Sequence, residues 1–496
     1  MFRLLIGFVV TLSVMAGPAH GAEEFRPPNI LFIMTDEQRA DALGAAGNAI
    51  LKTPNIDGLA KTGIRFANAY VNSPLCSPNR ISLYTGRYVH THRVRWNTVS
   101  HTLSEDNKTI AQVLKEQGYK TACFGKMHIT GHTGHDLGFG DAPEDNYQYR
   151  DYAKEKGKRN SYQIAMKGKH WTGKLETSLE DCHETIITDK AMSFMEEHKD
   201  GPFFVWLSYF GPHMPYAAPD PYYSMYKPED MPPAPKPPEG IKDDVAEFHG
   251  WLAGKTISGP ITEDEWLVMK AQYYGLCTYI DDEVGRVVAK LKKMGVYEST
   301  IIVYTSDHGD MLGDHTMFAK GIHCFDGTAK VPYIIRVPGM TDKGQVSETL
   351  VQSIDLMPTL LDLVKAPLPA GVQGKSLVPI LKGEVDKVND AVYAEVGPVS
   401  TEKCVMMRAE GHKYIYYTDG SELLFDMKND PNEFTNLAGK DEHKDLLAEM
   451  RLKMLEWRIN SEDPLPGDVK PPKDGWAIHQ RAGRSVKTGM VADVGK

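Results

Sequence analysis

The stretch Ile30-Leu31-Phe32-Ile33-Met34-Thr35-Asp36-Glu37 runs apolar without alternation and then stops at two acids. Phe203-Phe204-Val205-Trp206-Leu207 repeats the pattern on the way to His213, and Ile301-Ile302-Val303-Tyr304 repeats it before Asp307-His308. A strand with one wet face alternates polar and apolar residues, so unbroken runs predict strands buried on both sides. That reading gives an α/β fold: a large, mostly parallel β-sheet sandwiched by helices. Ligands of such sheets sit beyond the carboxyl ends of the strands. Here each end leads to ionisable side chains. One covering helix is legible between the second and third runs. Thr262 and Glu265 make a capping box, and Ile280, Val284, Val287, Val288 and Leu291 mark an apolar face at helical spacing.

Composition narrows the class further. The chain has 496 residues, 41% hydrophobic and 25% charged, with 56 Lys+Arg against 66 Asp+Glu and a formal charge of −10. This is globular rather than disordered material, and the acidic balance excludes a basic nucleic-acid binder. The six cysteines, Cys76, Cys123, Cys182, Cys277, Cys324 and Cys404, lie at least 47 residues apart, which excludes CxxC-type zinc or redox sites. Arg3, the apolar stretch Leu4 to Val14 and Ala19-His20-Gly21 make residues 1–21 an export signal. The stretch is too short for a membrane span, so the mature chain is expected in the periplasm or outside the cell, without a transmembrane span.

Residues 22–380 read as the catalytic domain and 381–496 as a C-terminal subdomain and tail. Short strand-like runs at Ala391 to Val396, Cys404 to Met407, Tyr414 to Tyr417 and Glu422 to Phe425 precede a helical stretch with Leu447, Met450, Met454 and Trp457. They predict a small antiparallel sheet packed by one helix. The Pro-rich segment Pro228 to Pro238 has candidate chemistry on both sides, so it reads as a surface loop rather than a linker.

The chemistry concentrates in Cys76-Ser77-Pro78-Asn79-Arg80-Ile81-Ser82-Leu83-Tyr84-Thr85-Gly86-Arg87, a C-x-P-x-R followed by T-G-R. The segment resembles the signature of type I sulfatases, of the alkaline-phosphatase-like superfamily, in which this cysteine is oxidised to formylglycine. Gly118 to His128 matches that family's second signature, G-Y-x-T-x-x-x-G-K-x-H, and Pro212-His213-Met214-Pro215 matches its P-H-x-P segment. Leu424 to Pro431 resembles its C-terminal hairpin, so the likeness covers roughly residues 29 to 440.

The resemblance implies a sulfatase that cleaves a sulfate ester of a small molecule or oligosaccharide, and a formylglycine-generating maturation enzyme as partner. It implies Cys76 as nucleophile, Arg80 holding it, Lys126 and Lys320 on the sulfate, His128 as base and His213 as acid to the leaving oxygen. It also implies one Ca2+ per chain, held by Asp36, Glu37, Cys76, Asp307 and His308. Glu37 stands where the family commonly has Asp, and Gln38 is the alternative ligand. A sulfate monoester is shielded by its own negative oxygens, so hydrolysis needs an oxygen nucleophile, a cation and an acid. A phosphonate monoester or phosphodiester hydrolase of the same superfamily is the competing expectation, because it shares the C-x-P-x-R nucleophile. Two patterns carry less. His128, His132 and His135 read as a substrate-facing loop rather than a metal site, because Gly131 and Gly134 break any helix there. Asn107-Lys108-Thr109 fits a glycosylation acceptor.

Overall fold

The computed structural model describes residues 26–97, 103, 107–129, 134–140, 142–143, 171–245, 255–256, 259–397, 403–409 and 411–462. The export segment, His132 and the Pro-rich tail lie outside them. Eight strands form the main sheet: β1 (Asn29–Asp36), β2 (Ile64–Tyr70), β3 (Lys120–Gly125), β4 (Ala142–Pro143), β5 (Phe203–Pro212), β6 (Thr300–Ser306), β7 (Tyr333–Arg336) and β8 (Gln345–Gln352). Their spatial order is β8-β2-β7-β6-β1-β5-β3-β4. All neighbours are parallel except those of β7, which runs against both β6 and β2. The apolar runs are therefore the centre of the sheet, in the expected class of fold.

Both faces are dry, as the unbroken runs require. Ile30, Phe32 and Met34 point into one core with Phe204 and Trp206. This core is closed by α2 (Cys76–Thr85), α3 (Ile110–Glu116) and α6 (Leu356–Leu363). Leu31 and Ile33 point the other way, onto α1 (Pro54–Lys61), α4 (His183–Glu197) and α5 (Glu263–Lys293). The helix α5 begins where the capping box put it. Thr262 Oγ1 accepts from the Glu265 backbone N–H at 3.4 Å, and the Glu265 carboxylate accepts from the Thr262 N–H at 2.9 Å. Thr262→Ala is expected to cost about 1 kcal/mol, read as a lower urea midpoint at unchanged slope. An unmoved midpoint would show that the 31-residue helix is held by its packing alone.

The C-terminal strands β9 (Ala391–Val396), β10 (Cys404–Ala409), β11 (His412–Tyr417) and β12 (Glu422–Asp426) make an antiparallel meander. One face carries Val392, Ala394, Met406, Ile415 and Phe425 into the same core as β1. The other holds Met407, Tyr414 and Leu424 against Leu447, Met450, Met454 and Trp457 of α7 (Lys444–Ser461). Trp457 stacks on Tyr393 with ring centroids 4.3 Å apart. The Pro228 segment is a surface loop lying along α5, where Lys270 Nζ donates to the Pro232 carbonyl at 2.7 Å.

Candidate active site

Four adjacent parallel strands, β6, β1, β5 and β3, end side by side and deliver the site. Asp36 closes β1, Lys126 follows β3, His213 follows β5, and Asp307-His308 follow β6. Thr35 is level with Ser306 and Gly125 with Ser208, so these ends lie at one edge. Across from them stands α2, all ten of its residues buried and Cys76 at its first position. Its amide dipole adds positive potential where Cys76 sits. The T-G-R glycine ends this helix. Gly86 has φ 65°, and a Cβ there would meet Val372 at 2.8 Å. Gly125 of the second signature has φ 95° and would place a Cβ 2.0 Å from the Ser208 carbonyl oxygen. Both motif glycines are thus demanded by backbone geometry.

Cys76 Sγ lies 3.2 Å from His308 Nε2, 3.5 Å from Lys126 Nζ and 3.9 Å from Asp36 Oδ1. His128 also reaches it with its side chain. Burial opposes ionisation of this thiol, but Lys126, Lys320 and His308 outweigh burial and hold it well below the usual thiol range. Arg80 is fully buried and serves as the brace. Its Nε donates to Asp307 Oδ2 at 2.7 Å, Nη2 to Asp36 Oδ2 at 3.0 Å, and Nη1 to Ser208 Oγ at 2.8 Å and to the Lys126 carbonyl. Asn79, the variable residue of the signature, ties the Asp307 carbonyl (2.7 Å) to the Asn72 amide (3.0 Å).

Two overlapping groups of donors result. Asp36, Cys76, Asp307 and His308 each place an atom within 4.8 Å of the others, and Asp36, Glu37 and His213 do the same. Glu37 thus falls in the second group, while its backbone N–H donates to Asp307 Oδ1 at 3.2 Å. Its oxygens lie 3.4 Å from Lys320 Nζ and 3.4 Å from His213 Nε2, yet neither is hydrogen-bonded. Burial pushes this carboxyl up to about 8 against the pull of Lys320. Gln38 is turned away: its amide oxygen accepts from Thr35 Oγ1 at 3.0 Å and Tyr304 Oη at 2.5 Å, and its amide nitrogen donates to the Ala42 carbonyl at 2.8 Å. A buried carboxylate without a hydrogen-bond donor, as Glu37 is, suits a hard cation, whose preferred ligands are oxygens.

The remaining candidates converge on the same opening. Lys126 pairs with Asp36, and Lys320 Nζ stands 2.8 Å from His213 Nε2. Burial first, and then the Lys320 charge, lower His213 to about 4. For His308 burial works the other way from its neighbours, and Asp307 leads in lifting it to about 9. Asp36, Glu37, Cys76, Arg80, Lys126, His128, His213, Asp307, His308 and Lys320 are thus brought to one place, whereas Gln38 is not. Three contributors went unnamed. Ser208 holds Arg80, Asn97 Oδ1 accepts from the Ser77 N–H at 2.9 Å beside Cys76, and Tyr216 donates to Asp310 behind Glu37. Ser208 left a trace as the first polar residue after its apolar run; Asn97 left none. The weaker patterns resolve as well. His135 is exposed, whereas His128 faces Cys76. Asn107 is buried and accepts from Arg87 at 3.1 Å, and Thr109 caps α3.

A mostly parallel sheet that gathers a buried cysteine, paired carboxylates and several cations at its carboxyl edge suits the hydrolysis of an anionic ester. Comparison with known proteins narrows the class. The family model described as "Sulfatase" matches residues 28–366, and "N-sulphoglucosamine sulphohydrolase, C-terminal" matches residues 313–460. An arylsulfatase of Clostridium perfringens is 33% identical over 475 residues, covering 87% of this chain and 95% of that protein. An ulvan-active sulfatase of Formosa agariphila is 30% identical over 454 residues, covering 87% and 81%. Among solved structures, a phosphonate monoester hydrolase of Agrobacterium radiobacter superposes with a TM-score of 0.78 at 26% identity, over 90% of this chain and 99% of that one. The chain belongs to the sulfatase family, and it is a sulfuric ester hydrolase.

Proposed function

We propose that this enzyme removes sulfate from a sulfated carbohydrate outside the cytoplasm, with Cys76 converted to formylglycine and one Ca2+ bound beside it. The supporting observation is the position of Cys76 Sγ at the head of a buried helix, among Lys126, His308 and Asp36. In the converted enzyme an oxygen stands where Sγ now lies, which turns a soft donor into a hard one. Asp36, Asp307 and His308 would hold the cation with that oxygen, and Glu37 offers a further carboxylate from the side of His213. The bound cation supplies positive charge against the oxygens of the ester.

The hydrated aldehyde supplies two hydroxyls on one carbon, one to attack sulfur and one to release sulfate. Around it the side chains have separable tasks. Arg80, locked between Asp36 and Asp307, fixes the orientation of residue 76. Lys126 and Lys320 bind the sulfate oxygens and oppose the charge that grows on them. His213 Nε2, which shares a proton with Lys320 Nζ at 2.8 Å, passes that proton to the departing alcohol oxygen. His128, whose ring Nδ1 has no hydrogen-bond partner, takes the proton of the second hydroxyl. A chain of net charge −10 does not attract an anion overall, so this local set of cations must do so.

Carbohydrate as the substrate class is supported by the relative named for ulvan, and extracytoplasmic location by residues 1–21. No helix among the described residues is long and apolar enough to cross a membrane. The maturation enzyme would be the chain's protein partner. The structural likeness to a phosphonate monoester hydrolase favours one second reading, hydrolysis of phosphonate monoesters or phosphodiesters. Sulfate and phosphonate esters of one phenol, assayed side by side on the matured enzyme, separate the two. The sulfate ester is expected to show a kcat/KM higher by orders of magnitude, and the reverse order would overturn the assignment. Stripping divalent cations is expected to abolish turnover, and Ca2+ to restore it.

A further inference from the structure

The geometry points to a disulfide bond between Cys324 and Cys404, a covalent tie between the active-site side of the main sheet and the C-terminal meander. Both side chains are fully buried, 80 residues apart in sequence, with their sulfur atoms 3.4 Å from each other. A disulfide has its sulfurs about 2.05 Å apart, so about 1.4 Å of closure completes the bond.

The approach of the two residues is imposed by contacts that do not involve sulfur. Cys404 opens β10, in register with Val396 on one side and Tyr417 on the other. Cys324 lies just before Asp326, and this segment is moored to β11 by Lys413. The Lys413 ammonium donates to the Cys324 carbonyl at 3.3 Å, and it pairs with Asp326 and, at 2.7 Å, with Glu433. The neighbouring Asp326 N–H donates to Glu433 at 2.7 Å. Two backbones held from outside thus present their thiols to each other in a core that excludes water. The other cysteines sit on separate elements: Cys123 in β3, Cys182 at the head of α4 and Cys277 within α5.

An exported chain meets the oxidant this bond requires. The thiolate of one cysteine attacks the disulfide of a protein oxidant, forming a mixed disulfide and releasing one of the oxidant's sulfurs as a thiol. The thiolate of the second cysteine then displaces the other sulfur. The pair loses two electrons and two protons, and the oxidant's disulfide gains them as a dithiol. Cys324 follows Lys320 by four residues, so the bond anchors the segment that carries this active-site lysine. Cys76 has no part in the pair, and with Cys76 converted the pair leaves three thiols.

The full chain, produced in a compartment that forms disulfides, is alkylated under denaturing, non-reducing conditions and digested. The expected product is the Cys324 peptide joined to the Cys404 peptide, lighter by two hydrogens than the separate thiols. Alkylation of both cysteines, or either one joined to a different cysteine, overturns the assignment. A second measurement uses the variant carrying Cys324→Ser and Cys404→Ser. Reductant is expected to lower the thermal midpoint of the parent by several degrees, because an 80-residue loop is released, and to leave the variant unmoved. An equal response in both overturns the assignment. Neither readout depends on the state of Cys76.

Discussion

Cys76→Ala is expected to lose at least about 10^4-fold in turnover of a sulfate ester while remaining folded, since both the nucleophile and its activation disappear with one side chain. The residue is buried at the head of α2, and alanine keeps the helix while removing only the sulfur. No neighbour can take over. Ser77 is engaged, its hydroxyl donating to the His128 carbonyl at 2.7 Å and its amide to Asn97. The rates are compared on preparations from a host able to mature the cysteine. The mass of the Cys76 peptide from the parent provides the companion test: an aldehyde is expected, and a plain thiol from such a host would count against the proposed chemistry. Unchanged turnover in the alanine variant would remove Cys76 from the mechanism altogether.

Arg80→Ala is expected to cost about 3–5 kcal/mol of stability, as well as activity. Its guanidinium is the shared cation of Asp36 and Asp307, all three wholly buried. Removing it takes the guanidinium from Asp307 and leaves Asp36 with Lys126, in a site that excludes water. Burial raises Asp36, but Lys126, His213 and Arg80 outweigh burial and hold it well below the usual carboxylate range, so it stays ionised and pays the full penalty. Denaturant unfolding without added divalent cation measures the loss, because a bound cation would offset part of the repulsion. Arg80→Lys restores the charge but cannot span two carboxylates, the Ser208 hydroxyl and the Lys126 carbonyl with one ammonium. It should fold better than the alanine variant and still turn over slowly. An alanine variant as stable as the parent would show that the acids are protonated or hydrated instead.

How much of this was legible depends on whether the signal is local. The runs at Ile30, Phe203 and Ile301 revealed the central strands because burial on both faces demands apolar residues at every position. Thr262 and Glu265 located the start of α5 because a capping box lies within four residues. The order of the strands was hidden. Parallel neighbours β1 and β6 pair across 271 residues of chain, and β7, with four residues, reverses direction without a compositional mark. Site residues with a motif around them could be named: Cys76, Arg80, Lys126, His128, His213, Asp307 and Lys320. Their supports could not, since Ser208 and Asn97 matter only through partners far along the chain. Asp36 and Glu37 show the limit within two positions. Adjacent residues at a strand end face different ways, so Asp36 serves both donor groups while Glu37, at φ 71°, turns to Lys320 and His213.

The burial of the whole Cys76–Thr85 helix also sets a chronology for biogenesis. On the proposed chemistry a second enzyme must reach Cys76 before this helix is buried. Conversion therefore competes with folding: a chain that closes first is locked as an inactive thiol form. The yield of active enzyme becomes a ratio of two rates, modification against collapse of the sheet over α2. Slower folding, at lower temperature or with a holding chaperone, would raise specific activity without altering a single residue of the site.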